Sequence, residues 1–166
     1  MRHVTCFMGF RFLLFLVAVL LLVTARVTAL KVHSPAFLAR KQFTEFKLPV
    51  GPPRWSGKEY RGDVILVSGT ELCPNSTSIG NWKGAIVLAL ENKCNAVDQA
   101  VVAQSNGALG LLVGNTKLPL SEGGIVQIPV EVVPENGWNA IVATVKQGIP
   151  VHVSLGHSLN VLRFAI

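Results

Sequence analysis

Residues 84–115 read GAIVLALENKCNAVDQAVVAQSNGALGLLVGN: an apolar run, a polar turn, a helical stretch and a second apolar run. Ala85 to Leu90 is continuous hydrocarbon of strand length, the pattern of a strand covered on both faces. Asn95 is placed to accept backbone N–H bonds at a helix start, and Asp98 puts negative charge in the first turn, where the helix dipole favours it. Val97, Ala100, Val101 and Gln104 share a face at helical spacing. Gly107 supplies the left-handed residue that ends the helix, and Leu109 to Val113 resumes a buried strand. The unit is β-α-β, so its strands are expected to be parallel and its crossover right-handed.

Working outward, Val64 to Ser68 is another short apolar strand. Ile125 to Val133 is a longer one interrupted by Pro129, which argues for an edge position or a bend. Pro134 to Gln147 forms a second helix whose core stripe is Trp138, Ile141, Val142 and Val145, ended by Gly148. Val151, Val153 and Leu155 alternate with His152 and Ser154, a half-buried strand with a polar face. Leu159 to Ile166 is read as a last strand, Leu30 to Phe46 as holding one strand, and Val50 to Gly62 as loop. The result is a small α/β domain with a mixed parallel and antiparallel sheet and two main helices.

The chain has 166 residues, half of them hydrophobic and 14% charged, which excludes disorder and suits one domain. Arg2, His3 and Arg11 precede an uncharged run from Phe12 to Ala25, short of the ~20 residues of a membrane span but right for a signal-peptide core. Val27-Thr28-Ala29 supplies the small-residue cleavage pattern, with Val23-Thr24-Ala25 a second. The expected organisation is therefore a signal peptide over 1–29 and a single domain over 30–166. An uncleaved anchor extending through Leu30 is the alternative, and only then would the protein meet a membrane.

Cleavage removes Arg2, Arg11 and Arg26, so fifteen basic side chains become twelve against nine acidic ones, a net charge of +3. The remaining cations are scattered and few aromatics lie among them, which excludes a nucleic-acid surface.

Cys6 leaves with the signal peptide, leaving Cys73 and Cys94 as a pair in an oxidising compartment. A disulfide is the default reading, with two free thiols or half a metal site as alternatives; a metal would need another ligand, and no histidine is near in sequence. Asn75-Ser76-Thr77 is an N-glycosylation acceptor in a polar loop, so Asn75 is the expected glycan site.

A search for chemistry finds little. Of His33, His152 and His157, none sits in an HExxH spacing, and no GxSxG elbow occurs. Ser154 and His157 are close in sequence, which is not triad geometry; they read as a surface strand residue and a loop residue. The carboxylates, Glu131 among them, are expected at element ends or in polar loops as solvated charges. Gly107, Gly110 and Gly114 follow a helix instead of opening one and so do not cradle phosphate. No catalytic residue, metal or cofactor is assigned.

These residues together resemble the protease-associated domain family. The resemblance is carried by GAIVLAL, a cysteine in the following turn, Gln99-Ala100, Ala103-Gln104, Gly107-Ala108 and Asn115. Ile128-Pro129 before a second strand and helix adds to it, as does Leu72-Cys73-Pro74, similar to the family's first cysteine, which pairs with the one in the turn. It spans Leu30 to Leu155. Asn92-Lys93 stands where the family has Arg-Gly, and Ala96 where it has an aromatic.

The resemblance implies a β/β/α layered domain without catalytic residues. Such domains serve as lids or protein-binding surfaces in secreted proteases, vacuolar sorting receptors and the luminal parts of membrane ubiquitin ligases and intramembrane proteases. The leading expectation is a stand-alone, non-enzymatic module of the secretory pathway that binds a protein or peptide through the loops at Val50 to Gly62 and Lys117 to Gly124. The alternative is the lid or substrate-recognition portion of a larger peptidase, sorting receptor or ubiquitin ligase.

Overall fold

The computed structural model describes residues 30–41, 46–47, 51–52, 58–76, 80–91, 93–114 and 125–156. Residues 1–29, expected to be a signal peptide, Thr77, most of the two proposed contact loops, His157 and the expected strand at Leu159 to Ile166 lie outside them. Within the described residues, seven strands form one mixed sheet in the order β1-β7-β3-β4-β5-β6-β2. They are β1 (Lys31–Ser34), β2 (Phe46–Lys47), β3 (Tyr60–Val67), β4 (Ile86–Ala89), β5 (Gly110–Val113), β6 (Val130–Val132) and β7 (His152–Leu155). Three helices accompany them: a single turn α1 (Ala36–Ala39), α2 (Ala96–Ser105) and α3 (Glu135–Lys146).

The β-α-β unit is present as β4-α2-β5, with β4 and β5 parallel and in register at Ile86–Gly110, Val87–Leu111 and Leu88–Leu112. Every residue of both strands is buried. Asn95 caps α2 by accepting the Val97 N–H at 3.0 Å, and Gly107 adopts φ +84° just past the helix end. Side-chain alternation along β4 and β5 divides the core in two. Val87, Ala89, Leu111 and Val113 face α2 through Ala100 and Ala103. Ile86, Leu88 and Leu112 face α3 through Ile141 and Val142. The two main helices therefore cover opposite faces of the parallel strands, and Trp138 ties α3 to β4 by donating from Nε1 to the Ala89 carbonyl at 3.3 Å.

Four expectations need correction. The buried stripe of α2 is Ala96, Gln99, Ala100 and Ala103 in place of Val97, Ala100, Val101 and Gln104. Small side chains let the helix backbone approach the sheet, and the valines pack at its margins. The strand expected at Val64 starts four residues earlier, at Tyr60, taking in part of the expected loop. Its first half pairs antiparallel with β7 and its second half parallel with β4, and the polar, glycine-containing start hides it in the sequence. Ile125 to Val133 contributes only β6, an interior strand parallel to β5 and antiparallel to β2. Pro129 sits just before it, its carbonyl accepting the Leu111 N–H at 2.9 Å. Finally, the N-terminal stretch carries β1, α1 and β2 where one strand was expected.

Asn95→Ala should leave the fold intact and cost about 1 kcal/mol of unfolding free energy, because the Val97 N–H loses its side-chain acceptor. Leu111→Ala, which opens a cavity in the α2-side core, should cost about 2–5 kcal/mol. Urea unfolding followed by circular dichroism separates the two, and equal losses would mean that α2 is not held as described.

Candidate functional site

Two groups of polar residues stand out from this scaffold. The first is at the carboxyl ends of β3 and β4. After β3 the chain coils through consecutive turns, with Glu71 N–H bonded to the Ser68 carbonyl and Ser76 N–H to the Cys73 carbonyl. This path drives Leu72 fully into the core and presents Cys73 beside the β4-α2 turn. There Cys73 is joined to Cys94, with Cα atoms 5.8 Å apart across 21 residues of sequence. Gln99, fully buried, donates to the Glu91 carbonyl at 3.4 Å and so fixes the same turn from within α2. Asn75 lies exposed on the outer side of the coil, two residues beyond Cys73.

The second group lies on the face of β1, β7 and β3 opposite the α3-side core. Cross-strand register places Lys31 and Arg61 on either side of Ser154, and Ser34 and Asp63 on either side of His152. A register shift between Val32 and Ser34 inserts His33 as the extra residue of a bulge, a device that re-aims a side chain. His33 Nε2 lies 2.9 Å from Ser154 Oγ, and His152 Nδ1 lies 3.0 Å from Asp63 Oδ1. The two imidazole rings face each other at 6.1 Å between centroids, tilted by 54°. Arg61 pairs with Glu59 at 2.7 Å.

Electrostatics follow from this packing. Burial, helped by the neighbouring cations Lys31 and Arg61, pushes the His33 imidazolium below its ordinary range. The Glu59 carboxyl is held below the usual carboxylate range by its hydrogen bonds with Arg61 and then with Ser154. Glu59 in turn raises the Arg61 guanidinium.

A hydroxyl, an imidazole and a carboxylate in contact invite comparison with a nucleophilic triad, but the geometry argues against it. Ser154 is 2% exposed, so no substrate carbonyl reaches its Oγ. Its strand is paired on both sides, which commits the neighbouring backbone N–H groups of the strand to the ladder and leaves no oxyanion donor beside it among the described residues. The Ser154 hydroxyl is a cross-strand tie. Among the described residues no three His, Cys, Asp or Glu side chains gather closely enough to hold a metal ion, and no helix is long and apolar enough to cross a membrane.

Two sequence expectations are overturned at these sites. Ser154 is not a surface residue but a buried one, because β7 is an interior strand. Glu131 is not a solvated charge at an element end. It sits in the middle of β6, fully buried, and accepts the Gly156 N–H at 3.2 Å. The pairs His33–Ser154 and Asp63–His152 are separated by 121 and 89 residues, so no local motif announces them. Only the strand order could have found them.

No protein-family model matches the chain, and no curated protein sequence matches it. Solved structures do. An aminopeptidase from Aneurinibacillus sp. strain AM-1 superposes on 81% of the chain with a TM-score of 0.58 at 12% identity. A peptidase M28 precursor from Shewanella amazonensis covers 79% with a TM-score of 0.54 at 17% identity. A zinc aminopeptidase from Bacillus subtilis covers 79% with a TM-score of 0.57 at 16% identity. At these identities the likeness is one of fold. The chain spans 31%, 34% and 30% of the three proteins' lengths, about a third of each.

Replacing Cys73 and Cys94 together by serine should lower unfolding free energy by about 3 kcal/mol on the chain-entropy account, read from denaturant midpoints with and without reductant. A midpoint insensitive to both would mean that the bridge does not form. The pH profile of stability should carry two separable contributions. His33, with its folded pKa lowered, stabilises fully above the unfolded value of 6.5 and loses that contribution as pH falls below it. Glu59, also lowered, stabilises fully above 4.5 and loses its contribution at lower pH. His33→Gln should flatten only the upper window and Glu59→Gln only the lower, in melts taken from pH 8 to 3.

Proposed function

We propose that this chain acts as a protease-associated-type domain of the secretory pathway, without catalytic residues of its own, that binds a protein or peptide partner. One observation carries the reading. The cysteines that resemble the family's pair, Cys73 after β3 and Cys94 in the β4-α2 turn, meet in a mixed α/β fold. The same fold occurs as about a third of several aminopeptidases. The N-terminal apolar run over Phe12 to Ala25 and the disulfide support passage through an oxidising lumen, and Asn75, exposed, is proposed as its glycan site. The loops at Val50 to Gly62 and Lys117 to Gly124 are proposed as the contact surface, since loops on a rigid scaffold carry recognition.

The share of each aminopeptidase that the chain spans favours a second reading, in which the domain serves as lid or substrate-recognition part of a larger peptidase. Both readings place the working surface in the same loops. They differ in the partner, which is covalently attached or separate.

Cross-linking in cells that express the chain, followed by replacement of residues 117–124 with a Gly-Ser segment of equal length, tests the proposal. Loss of one specific adduct with unchanged thermal stability is the expected result. An adduct pattern indifferent to that replacement and to one at 53–57 would count against it. So would turnover of aminoacyl or peptidyl substrates by the isolated chain.

A further inference from the structure

The face of β1, β7 and β3 away from the α3-side core keeps polar groups that the proposed function does not use. We propose that His33 and His152 together form a binding site for a borderline divalent metal ion such as Zn²⁺ or Cu²⁺, with two protein ligands, solvent in the remaining positions, and Asp63 and Ser154 as orienting partners.

The geometry supports this in three ways. First, the rings come from adjacent strands and face each other at 6.1 Å between centroids. An ion bonded to imidazole nitrogen at ~2.1 Å holds two ring centroids roughly 5 to 6 Å apart, close to the observed separation. Second, each ring spends one nitrogen on an orienting group. His152 Nδ1 is on Asp63 Oδ1 at 3.0 Å and His33 Nε2 on Ser154 Oγ at 2.9 Å. The proposed ligand atoms are His152 Nε2 and His33 Nδ1, the ring nitrogens not used in these two contacts. The Asp63–His152 pair has the carboxylate–histidine arrangement that fixes ring orientation and strengthens a metal ligand.

Third, the electrostatic surroundings permit a cation. Among the described residues, the charged groups on the face are Lys31 on β1, with Glu59, Arg61 and Asp63 on or just before β3, two positive and two negative. His152 keeps 43% of its side chain exposed, which leaves an entry path. Imidazole donors select zinc, copper or nickel over calcium and magnesium. The two histidines also join β1, an edge strand, to β7, so the bound ion would staple the edge of the sheet.

Titration of tag-free protein with Zn²⁺ and, separately, Cu²⁺ by calorimetry at pH 7.5 tests the inference. One ion per chain is expected, with a rise in melting temperature as the ion is added. His33→Gln and His152→Gln should each weaken binding at least tenfold, and Asp63→Asn about tenfold, with the metal-induced rise in melting temperature of each variant read against its own metal-free form. Lowering the pH to 5.5 should also weaken binding at least tenfold, as protons compete for the imidazoles. Absence of saturable binding overturns the inference. So does binding that survives both histidine substitutions, that is abolished instead by His157→Gln, or that is indifferent to pH. Broadening by Cu²⁺ of amide resonances confined to β1 and β7 would support it even if one variant is poorly folded, and broadening elsewhere would overturn it.

Discussion

The structure depends on β3 being paired along its two halves by different neighbours. Tyr60 to Asp63 bond antiparallel to β7 and Val64 to Val67 parallel to β4, with the Val64 N–H still reaching the Val151 carbonyl at 2.8 Å where the two ladders meet. A strand used in this way joins an antiparallel margin to a parallel centre without a break in the sheet. On one side of it, β4 and β5 are covered by helices on both faces, as parallel strands require. On the other side, β7 and β1 bury one face only and leave the opposite one for polar side chains.

That division explains what was legible in the sequence. The parallel centre announces itself because a doubly covered strand must be apolar throughout, so GAIVLAL and Leu109 to Val113 could hardly be anything else. α2 and α3 were legible from Asn95, Gly107 and Gly148, whose roles at helix ends are local. The antiparallel margin was not. Tyr60-Arg61-Gly62-Asp63 has polar residues and a glycine at alternate positions, and its strand character comes from β7, some ninety residues away. Gly62 is there because it packs against the backbone at Gly84 and Ala85, a contact no local pattern reveals. The stripe of α2 was misplaced by a similar logic. Hydrophobicity pointed to the valines, whereas closeness of approach selected the alanines and Gln99.

The polar site was still harder to read, because each of its pairs is made by register and not by spacing. His33, Ser154, His152 and Asp63 look like isolated polar residues on three separate segments. A bulge in β1 turns His33 towards Ser154, and the in-register pairing of Asp63 with His152 does the rest. The disulfide lies between these extremes. Its two cysteines could be paired from compartment and number alone, but the coil from Ser68 to Ser76 that brings Cys73 to the β4-α2 turn is a tertiary fact.

Glu131 shows how the same curled sheet resolves a conflict that sequence reasoning does not anticipate. A carboxylate in the middle of a buried parallel strand ought to be costly. Yet β6 and β7, four places apart in strand order, are brought together by the curl, as the packing of Leu155 against Gly110 of β5 also shows. Glu131 thereby reaches the Gly156 N–H just past the end of β7, where the backbone takes φ +91° and the peptide group has left the ladder. A hydrocarbon side chain at 131 would fill the same volume and remove the acceptor of that N–H. The carboxyl group of Glu131 therefore links β6 to the turn after β7 across the curl of the sheet. β7 is thus tied at its carboxyl end from across the core, in addition to its ladders with β1 and β3.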